Sequence, residues 1–248
     1  MSSARFHVPE AGPGGRVSFP EWSAHHAREV LRLRAGDLVR VFDGRGAEFE
    51  ATLDLVTRQE VHARIGPAVS PRPESPLRIT LALSPLKGDR MELVVQKVTE
   101  LGVVSIRPVV TFRTDAAARP ALRGTRQERW DKVASGAAEQ CGRAVVPDVA
   151  STIPLRQLVL EPFDGPRVLL REASGQPSLR SLFAEAPRDL LLLVGPAGGF
   201  ESAEVDELLA AGFEAAALGP RILRSETAAV AAVAVAQSLW GDLGGTLR

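Results

Sequence analysis

From Leu190 to Ala236 the chain reads LLLLVGPAGGFESAEVDELLAAGFEAAALGPRILRSETAAVAAVAVA, and this stretch constrains the fold more than any other. The unbroken apolar run at its start predicts a short strand buried on both faces. Gly195-Pro196-Ala197-Gly198-Gly199 predicts a turn, and SAEVDELLAAG after it has the apolar spacing of a helix. A second short strand runs into Leu218-Gly219, a polar loop follows, and an alanine-rich helix closes the stretch. Strands alternating with helices in this way imply a mostly parallel sheet covered on both faces. The same pattern sets two glycine-rich loops at the carboxyl ends of neighbouring strands, where open α/β sheets bind ligands.

The chain before this stretch has two parts. RFHV, LVRVFD, EFEATLDLV and VHARIG are short, partly alternating strands separated by Gly-Asp and Asp-Gly turns, with one helical segment from Pro20 to about Leu33. Several short strands with frequent turns suggest a small barrel over residues 1–70. Three prolines in Ser70-Pro71-Arg72-Pro73-Glu74-Ser75-Pro76 make a stiff linker, placed at residues 71–76. From residue 77 to 248 the rhythm is α/β. LRITLALS, VVSIRPVV and RVLLRE read as strands, and DRMELVVQKVTEL and RQERWDKVASGAAEQC as helices.

Composition limits the function classes. With 248 residues, 45% hydrophobic and 24% charged, the chain has the make-up of a globular protein with a sizeable core. Formal net charge is zero, so no global field attracts a polyanion and any RNA contact rests on a local patch. The single cysteine, Cys141, excludes an internal disulfide. No apolar run approaches the ~20 residues of a membrane helix. The N-terminal MSSARFHVPEAG lacks the apolar core of a signal peptide, so the expected location is cytoplasmic. The four histidines show no metal-ligand spacing, and no GxSxG or Cys/His pairing appears, so no metal is expected and nucleophilic hydrolysis is unsupported.

Each motif has a plain reading beside a functional one. Gly195 to Gly199 is either a tight strand-to-helix turn or a loop whose bare backbone lies against a ligand. In LGPRILRSETA, Ser225 reads as a helix N-cap and Glu226 as a first-turn acid favoured by the helix dipole. Capping does not account for Arg221 and Arg224, which add positive charge just before a positive helix end; a site for phosphate or carboxylate does. Lys97 and Glu100, spaced i, i+3, read as a surface pair. Glu172 is either a surface carboxylate or part of a third loop. From Arg107 to Arg143 seven arginines and Lys132 face only Asp115, Glu128, Asp131 and Glu139. Most of this is read as a solvated helix face.

Gly195–Gly199 and Leu218–Ala228, with QKVTELGV, TFRTD, EQCGR and the N-terminal HHAREVLRLRAGD, resemble the RsmE family of SPOUT RNA methyltransferases. The resemblance covers nearly the whole chain. It implies an N-terminal PUA-like β-barrel followed by a SPOUT α/β domain with a trefoil knot. It also implies a homodimer and methylation of N3 of a uridine in 16S ribosomal RNA, free or in the small subunit, with S-adenosylmethionine. Cofactor binding then falls to Glu172, Gly195, Pro196, Gly198, Gly199, Leu218, Gly219, Ile222 and Leu223. The family's first loop usually reads GPEGG; here Ala197 stands in place of the acid, whose role is either dispensable or supplied elsewhere, as by Glu201. Arg5, His26, Arg32, Arg34 and Arg143 are the expected RNA contacts.

Methyl transfer to N3 needs help, because neutral N3–H is a poor nucleophile. The expected stabiliser of the uracil anion is Arg113 or Arg224, with Glu226 a weaker candidate base. N3 lies on the pairing edge, so the target base must be splayed out. Three rivals remain. A non-catalytic RNA-binding protein would fail to bind the cofactor. A dinucleotide oxidoreductase is disfavoured by the missing GxGxxG. A SPOUT methyltransferase with another RNA target is the hardest to separate by sequence.

Overall fold

The structure, a computed structural model, describes residues 4–114, 126–172 and 175–244. Asp115, Arg119 and Arg123 of the basic stretch lie outside the described residues. The chain divides into two compact units, Met1–Glu74 with Ser135–Val146, and Ser75–Ala134 with Pro147–Arg248.

The first unit contains β1 (Arg5–His7), β2 (Arg16–Ser18), α1 (Glu21–His25), β3 (Leu38–Phe42), β4 (Glu48–Val56) and β5 (Val61–Val69). The strands pair in the order β1-β3-β4-β5-β2, with β1 parallel to β3 and the other pairs antiparallel. Alternation in β4 sends Phe49, Ala51 and Leu53 into a core shared with Phe6, Phe19, Val39, Val41 and Ala27. The predicted helix to Leu33 departs from regular geometry after His25. The chain widens, with the Leu31 N–H donating to the His26 carbonyl at 3.0 Å, and Arg32 adopts φ +54°. This detour brings Leu33 onto the core.

The second half of α3 (Gln127–Cys141) belongs to this first unit. There the buried Glu139 accepts the His7 backbone N–H at 2.7 Å and a 3.4 Å bond from Ser23 Oγ. Burial pushes the Glu139 carboxyl up to about 7, against the opposing pull of these donors and of Arg5.

The second unit is built on β6 (Arg78–Leu83), β7 (Ser105–Val110), β8 (Asp148–Val149), β9 (Ile153–Pro154), β10 (Arg167–Leu170), β11 (Asp189–Val194) and β12 (Phe213–Ala216). Its strands pair in the order β12-β10-β11-β6-β7-β8, with β9 also on β7, and every pairing is parallel. The apolar run Leu190–Val194 is the central strand β11, buried throughout, as its lack of alternation implies. Leu191 and Leu193 pack against Val205 and Leu208 of α5 (Ser202–Ala210) and Leu155 and Leu158 of α4 (Leu155–Leu160). The alanine-rich α6 (Ser225–Trp240) packs on β6, β11 and α2 (Arg90–Glu100), its small residues allowing close approach. Lys97 and Glu100 do pair on α2, at 2.9 and 3.0 Å.

Candidate active site

The order β12-β10-β11 reverses the direction in which strands are added, and ligands gather at such switch points. There the carboxyl ends of β10, β11 and β12 open into a cleft of about 430 Å³. Its walls are Leu170–Glu172 after β10, Val194–Phe200 after β11, and Ile222–Ser225 with Ala228 at the start of α6. A smaller adjoining hollow is lined by Leu218, Gly219 and Arg221. Glu172, Gly195, Pro196, Gly198, Gly199, Leu218, Gly219, Ile222 and Leu223 are therefore brought together at one place.

Glycine is required at two of these positions for different reasons. A Cβ on Gly195 would lie 2.6 Å from the Phe200 ring, which itself lines the cleft and packs on the core. Gly219 adopts φ +129°, a conformation that side chains disfavour.

Arg113 reaches the same cleft from the loop after β7. That loop is fixed from below by buried hydroxyls: Thr114 Oγ1 accepts the Thr111 N–H at 2.7 Å and lies 2.6 Å from Ser84 Oγ. From the side, Arg113 Nε donates to Glu201 Oε1 and Nη1 to the Gly198 carbonyl, both at 2.7 Å. Arg224 lies in the cleft wall at the N-cap of α6, exposed, with no side-chain partner among the described residues. Arg113, Arg171 and Arg224 against Glu172 give the lining a positive balance, reinforced by the N-terminal end of α6.

Glu226 does not join them. It follows Ser225, and α6 turns it away from the lining formed by Ser225 and Ala228 towards Arg90, 3.8 Å away. The structure thus does not bring Glu226, the candidate base, into the cleft lining.

Arg5 and Arg143, two of the expected RNA contacts, are engaged within the protein. The Arg5 side chain is 11% exposed and spends five hydrogen bonds on the protein: two on the Glu48 carboxylate and three on the carbonyls of Ala138, Glu139 and Arg143. Arg143 is buried and holds the Glu74 carboxylate through Nε and Nη2. Arg32 and Arg34 are exposed. His26 is part-exposed, its Nδ1 3.9 Å from Glu139 and its ring edge-on to Phe6. The lining also includes Arg171 and Phe200, and Glu201 anchors Arg113 from α5; sequence reading did not single out the first two. Their only sequence signal is position next to a strand end or glycine loop.

The two units match two family models, and together these matches make the chain an RNA methyltransferase carrying a PUA domain. The family described as RNA methyltransferase domain matches residues 73–237, and that described as RNA methyltransferase PUA domain matches residues 23–66. Ribosomal RNA small subunit methyltransferase E of Synechocystis is 34% identical over 94% of this chain and 76% of its own length. The Bacillus subtilis protein of that name is 33% identical over 82% of each chain. A Legionella pneumophila methyltransferase solved in complex with SAM superposes with TM-score 0.91 at 35% identity, covering 98% of this chain and 100% of that one. The Neisseria gonorrhoeae ribosomal RNA small subunit methyltransferase E bound to S-adenosyl methionine gives 0.87 at 35% identity, covering 98% and 99%. The chain belongs to the ribosomal RNA small subunit methyltransferase E family, RsmE.

Proposed function

We propose that this protein methylates N3 of a uridine in 16S ribosomal RNA, using S-adenosylmethionine. The observation that carries the reading is the cleft that joins three loops at a strand switch point, with Arg113 and Arg224 in its wall. Its residues fit that cofactor. Leu170, Val194, Ile222 and Leu223 offer apolar surface to an adenine, the glycine backbones offer close polar contact, and Glu172 with the arginines suits a charged amino-acid tail. The cofactor supplies a methyl group carried on a sulfonium.

The protein's part is to place the base and stabilise charge. Arg113 is held by two bonds in a fixed plane, and its remaining N–H groups have no protein partner among the described residues. They serve an oxygen of the uracil as negative charge develops on loss of the N3 proton. Arg224 provides a second positive charge on the other wall. Exposed Arg32 and Arg34, with His26, bind RNA phosphates in this reading. The protein acts as a homodimer, Ile222 beside the cleft being 80% exposed and so available to a second copy. The trefoil threading implied by the resemblance belongs to this reading too, and the chain's cytoplasmic location follows from its substrate.

Calorimetric titration with S-adenosylmethionine, with NAD as control, is the first test. It is followed by mass-spectrometric search for N3-methyluridine in 16S RNA from small subunits lacking the mark. Saturable binding of the methyl donor and a single new N3-methyluridine are expected. Binding of NAD instead, or methylation of a different RNA, overturns the reading. Arg113→Ala is expected to slow single-turnover transfer roughly 100-fold, as loss of one preorganised donor does elsewhere.

A further inference from the structure

Arg113 is an arginine on a loop, and side chains of that length do not hold one pose unaided. What holds it is the start of α5. Glu204 accepts the Phe112 N–H through Oε1 at 2.8 Å and the Glu201 N–H through Oε2 at 2.9 Å, so one carboxylate staples the loop after β7 to the helix N-terminus. Glu201 then takes Arg113 Nε at 2.7 Å, while the Gly198 carbonyl takes Nη1. Two carboxylates on one helix turn thus fix two consecutive residues of a neighbouring loop.

The choice of residue at 201 is informative. It is the N-cap of α5, where Ser, Thr, Asp and Asn are the preferred types because a short side chain reaches the backbone best. Glu201 does share a capping box with Glu204, but a shorter side chain would serve that box as well, and the extra reach of glutamate is what meets the guanidinium. The ion pair is also poorly suited to stabilising the fold, since the two side chains are 46% and 36% exposed. Exposed pairs contribute about 0–1 kcal/mol. The contrast with Arg5 points the same way. Arg5 spends five hydrogen bonds on the protein, whereas Arg113 spends two among the described residues, which set its plane and leave its other donors at the cleft.

We infer that Glu201 is a positioning residue for methyl transfer: its carboxylate sets the guanidinium of Arg113 in the pose that meets the uracil. This rests on the reading of the cleft as the methyl-transfer site.

The test is a double-mutant cycle on the full chain. Glu201→Ser keeps a good helix cap while removing the carboxylate, so thermal stability and S-adenosylmethionine affinity are expected to stay at wild-type values. The rate constant for methyl transfer at saturating RNA is expected to fall roughly 10-fold to 100-fold, the scale of a small misplacement, with KM for RNA unchanged. In an Arg113→Ala background the same Glu201→Ser change is expected to have no further effect, because its only route to the reaction is already gone. A wild-type rate in Glu201→Ser overturns the inference, and so does a loss that persists in full in the Arg113→Ala background. Failure of the functional reading is seen separately, as absence of N3-methyluridine with the wild-type protein.

Discussion

Glu139 shows how a buried acid makes stability depend on pH. Its carboxyl faces the His7 N–H, the Ser23 hydroxyl, the His26 ring and the positive charge of Arg5, all within the first unit. Desolvation outweighs them and lifts the group to about 7. The folded chain therefore holds the proton more tightly than the unfolded chain. Stability falls as pH rises from about 4.5 to about 7, and that loss is complete above it. Glu139→Gln keeps an acceptor for His7 without the charge. It is expected to match wild type near pH 4 and to be more stable at pH 8, by on the order of 1–3 kcal/mol. Chemical denaturation at the two pH values measures this, and an equal difference at both would show that the ionisation is not responsible. From sequence, Glu139 is only a negative charge among arginines; its partners lie more than a hundred residues away in the chain.

Among the elements, α6 was read correctly as a packed small-residue helix, since runs of alanine and valine bury well whatever their neighbours. The polar residue that fixes it was not legible. Gln237 is fully buried near the helix end, its Nε2 donating to the Leu101 carbonyl at 2.9 Å and its Oε1 accepting from Ser75 Oγ at 2.7 Å. A glutamine near a helix terminus looks like a surface residue until both distant partners are in place. Gln237→Leu fills the space but orphans a carbonyl and a hydroxyl, and is expected to cost about 1–3 kcal/mol. The midpoint of denaturation reads this out, and an unchanged midpoint would mean that water takes over both partners. The helix predicted from Pro20 to Leu33 failed for the opposite reason. Its apolar spacing was real, but Leu33 reaches the core only through the widened turn and the positive φ of Arg32. Local periodicity does not encode such a detour.

At the scale of the whole molecule the cleft was legible, whereas which arginines face solvent was not. Glycine loops after buried strands declare themselves in sequence, because backbone conformation and close approach restrict the residue type. Arginines do not. Arg5 and Arg143 look like Arg32 and Arg34 until burial separates the two pairs. The proline-rich segment marked a division, yet the segment Ser135–Val146 joins the first unit through contacts such as Glu139 with His7 and Arg143 with Glu74. With zero net charge, RNA affinity must come from a few local cations, so it should be modest in its salt dependence and sensitive to each of them. Arg32→Ala with Arg34→Ala is expected to weaken RNA binding at all sequences and to flatten the plot of log K against log salt by roughly 1.5. Because the cleft lies in the other unit, the same pair of changes should leave S-adenosylmethionine affinity and the transfer rate at saturating RNA unchanged. Arg113→Ala should do the reverse, lowering the rate with little change in the salt slope. If both variants altered slope and rate alike, the division of labour between a binding unit and a chemical unit would be wrong, and RNA contact and methyl transfer would have to be assigned to one shared surface.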